Sequence, residues 1–235
     1  MSAGASGSDL DAAAEDFDAR ASYLLLTSLV VPRPIAWVST LSADGRRNLA
    51  PHSYFNVVSS EPPILHVTSS QRRGRHKDTA RNIAETGEFV VNVASRDQVE
   101  LVNETSAEWP PEEDEWARAG LSGLPSRRVA PERVVGAPAA LECRLVETLR
   151  IGNGTMFFGE VVWFHAAERV MDGHRVNARN LDPVARLGGP QYAPLGDIFQ
   201  LSRPDWEQLR NGAPAPVISA AADQRADGAA AAPPH

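Results

Sequence analysis

The sequence predicts a mainly β fold, a closed barrel with a few short helices packed outside it. Three observations carry this. Between its two ends the chain reads mainly as short strand-like runs. Two connections, at Asp44-Gly45 and Asn153-Gly154, hold turn residues typical of β-hairpins. The roughly six strands and three or four helices also lack the regular β–α alternation of a doubly wound sheet. A chain of 235 residues can form one such domain, since all-β barrels often reach this size.

The elements follow in order. Residues 1–15 are small, acidic and rich in Ser, Gly and Ala. They have nothing to bury and read as a disordered tail, with no positively charged start and apolar centre of a signal peptide. Arg33 to Thr40 is strand-like and leads through Ser42-Ala43-Asp44-Gly45 into a second run from Asn48 to Asn56. Ile64 to Ser69 follows Pro62-Pro63, which hold its start extended.

Lys77 to Thr86 predicts a helix: Asp78 or Thr79 caps it, Ala80, Ile83 and Ala84 form its apolar stripe, and Gly87 stops it. Glu88 to Val93 returns as a strand. Ser95 and Gln98 have capping-box spacing before a helix carrying Val99, Leu101 and Val102. Pro110-Pro111 precedes a short acidic helix, Glu112 to Ala119, halted by Gly120. Ala140 to Ile151 and Thr155 to His165 form the clearest hairpin, around Asn153-Gly154. From Asn211 to His235 the chain is Ala/Pro/Gly-rich and reads as a second disordered tail, leaving 16–210 as the domain.

Composition narrows the function. With 43% hydrophobic and 23% charged residues the chain matches soluble globular proteins. A net charge of −7 argues against nucleic-acid binding. The single cysteine, Cys143, excludes an internal disulfide and fits a reducing compartment. No apolar run approaches the roughly 18 residues of a membrane span, so no membrane role and a cytoplasmic location are expected. Six histidines and one cysteine lie scattered without metal-ligand spacing, and no metal site is expected.

Two segments carry candidate chemistry. Asn48 to Asn56 breaks strand alternation with small and polar residues, and Pro51 cannot donate to a ladder, which places it at an edge or a bulge. Unpaired backbone groups there suit the uracil-like edge of a flat isoalloxazine ring; the plain alternative is a half-buried strand with its polar side in water. Ser69 to Thr79 gathers three arginines, a lysine, hydroxyls and a helix start within eleven residues. Such a segment suits a phosphate, the alternative being a solvated basic loop.

The pieces RPIAWVST, DG, NLAPHSYFN, PPILHVTSS, KDTARNI and GEFVVNV, in that order, resemble the flavin reductase family, its flavoredoxin-like branch in particular. Arg186-Leu187-Gly188-Gly189 with Tyr192 is similar to that branch's C-terminal signature, and the likeness spans roughly Pro32 to Tyr192. The resemblance implies an FMN-binding split β-barrel and a homodimer with FMN near the subunit interface. By position it implies that Ser39, Thr40 and the run Asn48, Leu49, Ala50, Pro51, His52, Ser53 and Tyr54 line the flavin ring and ribityl chain. Ser69, Lys77 and Thr79 would hold the phosphate, with Arg75 as a helper, and the Arg186–Gly189 segment and Tyr192 would lie close by.

The implied activity is NAD(P)H-dependent flavin reduction, with NADH or NADPH as a transient hydride donor and a monooxygenase as one destination of the electrons. Flavin chemistry needs no dedicated acid or base, so no catalytic side chain is assigned. Two other readings stay open: a tightly bound FMN enzyme acting directly on an organic substrate or a carrier protein, and a flavin-binding module without catalysis.

The remaining features have plain readings. His66 alternates within a strand and is expected to be a satisfied barrel residue. Cys143 reads as a core residue, and Gly152-Asn153-Gly154 as a hairpin and not a dinucleotide fingerprint. Trp37, Trp109, Trp116, Trp163 and Trp206 read as packing residues, and Glu112-Glu113-Asp114-Glu115 as a solvated first helical turn.

Overall fold

Seven antiparallel strands build one sheet: β1 (Ala36–Leu41), β2 (Arg47–His52), β3 (Phe55–Ser60), β4 (Pro63–Ser70), β5 (Glu88–Val93), β6 (Ala139–Ile151) and β7 (Gly154–Ala166). Their spatial order is β2-β1-β5-β6-β7-β4-β3. The computed structural model describes residues 9–71, 76–110, 113–201, 203–210 and 219–220.

Strands β2 and β3 are consecutive in the chain yet occupy opposite edges of the sheet. Only Ser53 and Tyr54 join them. Three Cα steps span at most about 11 Å, whereas the edges of a flat seven-stranded sheet lie about 29 Å apart. The sheet therefore rolls up until its edges approach, and the Thr68 N–H of β4 donates to the Tyr54 carbonyl at 2.8 Å. No ladder closes β2 onto β3, so the barrel is split along this seam. The mainly β split barrel with short helices is the fold that the sequence predicts.

The barrel interior is apolar. Val38 of β1, Leu65 and Val67 of β4, Phe89 and Val91 of β5, and Phe157 of β7 pack together with Ala80 and Ile83 of helix α2 (Asp78–Thr86). A second cluster covers the outside of the β1–β2 hairpin: Trp37 and Leu49 pack with Val102, Trp116, Val134 and Val184. Residues 99–135 supply most of that cover, through α3 (Val99–Glu104) and α4 (Glu115–Arg118). Strand β1 is thus buried on both faces, and Trp37 donates its Nε1–H to Thr105 Oγ1 at 2.9 Å. Buried Glu142 of β6 anchors the loop before β6. It accepts the N–H groups of Arg127 and Arg128 at 2.7 and 2.6 Å and contacts His165 Nε2 at 2.6 Å.

Several local expectations shift. The α2 N-cap is Lys77, whose side chain makes no cap hydrogen bond, and Asp78 is the first helical residue, paired with Arg81 at 2.6 Å. Gly87 ends the helix at φ 71° as predicted. The β6–β7 turn sits on Gly152-Asn153, one residue earlier than Asn153-Gly154, because Gly152 supplies the positive φ of 56° and Gly154 already pairs with Ile151. Ser95 and Gln98 form no capping box: the Ser95 hydroxyl turns to the Asp97 carboxylate, and α3 begins after Gln98. Residues 19–29 form a helix, α1, that the sequence reading left unassigned; Asp18 caps it by accepting the Ala21 N–H at 2.7 Å.

Of the acidic run, Glu115 departs from the expected solvated turn, while Glu113 and Asp114 stay partly in solvent. Asp114 caps α4, Glu115 is 8% exposed beneath it, and Glu112 lies outside the described residues. Trp37 and Trp116 are core residues, while Trp206 is 72% exposed and packs little.

By packing, the chain divides into residues 1–194 and 195–235. In the second unit Trp206–Arg210 is helical and Phe199–Gln200 pairs with Ser219–Ala220. Of the two expected tails, residues 1–8, 211–218 and 221–235 lie outside the described residues, and Ala14–Asp16 form one 3-10 turn. Among the described residues no helix is long and apolar enough to cross a membrane.

Candidate active site

A cleft of about 1080 Å³ opens in unit 1–194 along the seam. Strand β2, the Ser53–Tyr54 link, β4, the first turn of α2 and the 184–194 strand pair all contribute to its wall. Strand β2 is an edge strand, as Pro51 predicts: Pro51 faces Trp37 of β1, and no strand needs its missing N–H on the other side.

Most of the residues singled out from the sequence meet here. Asn48, Ala50, Pro51, His52, Ser53, Tyr54, Lys77 and Thr79 line the cleft. Four others stand behind or away from its wall. Leu49 is buried in the outer cluster with Trp37. Ser39 donates to the Glu132 carbonyl at 2.5 Å and accepts from the Asn92 amide at 3.3 Å. Thr40 Oγ1 accepts from Asn48 Nδ2 at 3.2 Å and Asn82 Nδ2 at 3.0 Å. Ser69 lies on the core face of β4, where its hydroxyl has no partner. Arg75 lies outside the described residues.

Strand alternation explains Ser69. Side chains of β4 point alternately to opposite faces, and the buried positions are Leu65, Val67 and Ser69. Thr68 and Ser70, on the other face, line the cleft instead. The sequence reading held Ser70 only within the Ser69–Thr79 segment, passed over Thr68 and Asn82, and gave Trp109 and Glu115 no role at the cleft; period-two alternation would have found Thr68 and Ser70.

A polar lattice fixes the first turn of α2 against the hairpin. Asn48 Nδ2 donates to Thr79 Oγ1 at 3.1 Å as well as to Thr40, and Asn82 reaches the same Thr40 hydroxyl. All four side chains are buried. The N-terminal N–H groups of α2, without a side-chain cap and with Lys77 at the cap position, present positive potential at the cleft.

Two buried acceptors in the cleft wall have no partner among the described residues. His52 is 6% exposed and its Nε2 is unpaired. Burial first, then the charge of Lys77, pushes its pKa down to about 4, opposed by a hydrogen bond to the Thr68 backbone. The ring is therefore neutral at pH 7, with Nε2 as an acceptor once the other nitrogen holds the proton for Thr68. Asn82 is 1% exposed, and its Oδ1 is unpaired while its Nδ2 serves Thr40. Unpaired buried polar atoms are costly, and both call for an N–H or O–H donor.

On the outer rim Glu115 accepts the Leu49 N–H at 2.8 Å. Burial first, with Asp114 and Asp78 adding to it, holds its carboxyl above the ordinary value. Tyr54 is raised chiefly by burial. Away from the cleft, burial and then Glu142 push the Cys143 thiol upward, which suits the core residue predicted from sequence. His66 shares a hydrogen bond with Thr68 Oγ1 at 3.3 Å. Among the described residues no three His, Cys, Asp or Glu side chains are grouped to hold a metal ion.

Known proteins place this arrangement. Residues 28–180 match the flavin reductase like domain. An uncharacterised Bacillus subtilis protein is 41% identical over 199 residues, 81% of this chain and 97% of its own. The solved structure of nitrilotriacetate monooxygenase component B from Bacillus cereus superposes with a TM-score of 0.80 at 36% identity, covering 83% of this chain and all of that one. That of Pseudomonas fluorescens 2-nitrobenzoate 2-nitroreductase gives 0.77 at 32% identity, covering 84% and 98%. The family match covers well over half of the chain, motif order and split barrel agree with it, and the chain belongs to the flavin reductase family.

Proposed function

We propose that this chain is an NAD(P)H-dependent flavin reductase that binds FMN non-covalently in the seam cleft. One observation carries the reading: the same cleft combines a lysine at a helix N-terminus lacking a side-chain cap with two buried acceptors that lack partners. A phosphate suits the first, and the ring N–H or ribityl hydroxyls suit the second. FMN carries both kinds of group, so the residues present fit it.

In this reading Lys77, Thr79 and the first N–H groups of α2 hold the phosphate, with Arg75 helping. The Asn48–Tyr54 run lines the ring and ribityl chain. Thr40 works one layer back by fixing the amides of Asn48 and Asn82. Ser39 and Leu49 support the wall from behind, and Ser69, assigned to the phosphate by the family resemblance, stands on the core face of β4. When bound, the flavin supplies a two-electron carrier that takes hydride from NADH or NADPH at N5 and passes electrons onward. The chain's own residues bind, orient and shield; His52 stays neutral, and none of them is assigned as acid or base.

Similarity to a monooxygenase component supports a monooxygenase as the partner that consumes the reduced flavin. A homodimer and a cytoplasmic location complete the reading; Val57 and Val58 on the β3 edge, 73% and 50% exposed, offer an apolar surface for the first. A second reading has one observation in its favour, the similarity to a nitroreductase: FMN held tightly and an organic substrate reduced directly.

The test is a visible absorbance scan of the purified protein with FMN, before and after NADH and then NADPH. Bleaching by either nucleotide supports reduction, and persistent bands leave a binding module. Flavin lost on dilution favours the reductase, and retained flavin the second reading. Lys77→Ala should weaken FMN by on the order of 10- to 100-fold, the worth of a charge-assisted hydrogen bond, and riboflavin far less. Equal loss for both ligands would remove the phosphate assignment.

A further inference from the structure

The segment from Arg186 to Tyr192 builds one oriented guanidinium. Gly189 turns the chain at φ 57°. The Leu187 N–H donates to the Gln191 carbonyl at 3.0 Å, and the Gln191 N–H to the Gly188 carbonyl at 3.2 Å. A Cβ on Gly188 would lie 2.7 Å from Ser28 Oγ and 3.4 Å from its Cα, so the turn packs closely on α1 at a glycine. Arg186 and Tyr192 then face each other across a two-strand pair. The guanidinium stacks on the Tyr192 ring at 4.4 Å from its centroid, and Nη2 donates to the Gly189 carbonyl at 2.8 Å. Tyr192 is fixed in turn, its hydroxyl donating to Asn103 Oδ1 at 3.1 Å.

A guanidinium has five N–H donors in a rigid fork. Stacking and one carbonyl set the plane of Arg186 and leave the rest of the fork for the cleft that it lines. The other described arginines of the cleft are already engaged. Arg46 pairs with Asp44 at 3.0 Å, Arg47 with Asp114 at 2.6 Å and Glu132 at 3.3 Å, and Arg81 with Asp78 at 2.6 Å. Arg33 gives its fork to the carbonyls of Thr27, Val30 and Leu187. Among the described cleft arginines, Arg186 alone has neither a carboxylate partner nor a filled fork.

We propose that Arg186 is the specificity-determining contact for the diphosphate of the nicotinamide dinucleotide, with Tyr192 and the Gly188-Gly189 turn as its positioning residues. The assignment rests on the flavin reductase reading above. It separates the two anions by element: the flavin phosphate belongs to α2 and Lys77, the dinucleotide to the 184–194 strand pair. Planar, bidentate phosphate recognition suits a stacked arginine. It also supplies a local hold for a dinucleotide in a chain whose sequence offers no separate dinucleotide-binding unit.

The test compares wild type, Arg186→Gln and Arg186→Lys with two hydride donors, the natural dinucleotide and 1-benzyl-1,4-dihydronicotinamide, which has no phosphate. Flavin affinity is measured separately from the absorbance change on FMN titration. Arg186→Gln should lower kcat/KM for the dinucleotide on the order of 10- to 100-fold, through KM. Its kcat/KM with the neutral donor and its FMN affinity should stay within about twofold of wild type, an effect too small for a lost charged contact. Arg186→Lys should recover part of the loss, charge without the fork. Equal losses with both donors, weakened FMN binding, or an unchanged dinucleotide KM would each overturn the assignment. A wild type that binds flavin but is reduced by neither NADH nor NADPH would instead overturn the reductase reading.

Discussion

The two edges of the barrel sheet are treated in opposite ways. Strand β2 is covered from within the chain. Glu115 takes the Leu49 N–H, Arg47 pairs with Asp114 and Glu132 and lies 5.3 Å over the Trp116 ring, and Trp116 packs against the hairpin. Strand β3 pairs only with β4 and leaves Val57 and Val58 in solvent. An unpaired edge is a template for another chain. The contrast teaches that residues 99–135 serve the cleft twice: Thr105, Trp109 and Glu115 line it, and Val102 and Trp116 help seal the edge that forms its wall. The β3 edge pairs with no second strand among the described residues.

That contrast can be broken on its covered side first. His52, the last residue of β2, is held neutral with a pKa of about 4 against an ordinary 6.5. Between these values the unfolded chain binds the extra proton, so stability is present above pH 6.5 and is lost as pH falls toward 4. The loss should be roughly 3 kcal/mol across that window. His52→Asn should flatten this part of the profile, measured by urea unfolding at stepped pH; an unchanged slope would show that His52 is not the group responsible.

Next in size is the edge cap. Glu115→Ala leaves the Leu49 N–H buried without an acceptor and should cost about 1–3 kcal/mol in chemical denaturation. Glu115→Gln keeps an acceptor and should recover most of it. The sign of the pH effect is opposite to that of His52. A carboxyl raised in the folded state keeps its proton there longer than in the unfolded chain, so its contribution falls as pH rises through the raised pKa. Glu115→Gln should therefore gain on wild type from acid toward neutral pH, and a constant gap between the two would refute the burial argument.

The open edge should respond least in stability. Val57→Lys changes a position 73% exposed and should alter unfolding free energy by no more than about 0.5 kcal/mol. If β3 carries the proposed homodimer, the same substitution should halve the mass measured by light scattering. A mass that stays dimeric moves the interface elsewhere, and a monomeric wild type ends the homodimer proposal.

Local chemistry made much of this molecule legible in its sequence. The glycine at position 45 turns the β1–β2 hairpin at φ 86°, Gly87 stops α2, and Pro51 marks an edge strand. Each signal acts over a few residues. What stayed hidden depends on partners far along the chain. Glu115 meets the N–H of a residue 66 positions away, and Glu142 gathers two N–H groups 14 and 15 positions away. The sequence shows these carboxylates as charges and cannot show which backbone groups tertiary packing leaves unpaired. The cleft falls between these cases. Its central run is legible from composition, but the side of β4 that faces it follows from register, and the sequence reading took Ser69 where the alternation brings Thr68 and Ser70.

The two-residue link between β2 and β3 also has a thermodynamic side. The cleft draws its wall from both sides of the seam, from β2 on one side and β4 on the other, and no ladder crosses the gap between β2 and β3. A molecule seated there acts as a brace across the least bonded line of the barrel. A ligand that binds there only in the folded chain raises the melting temperature as its concentration rises.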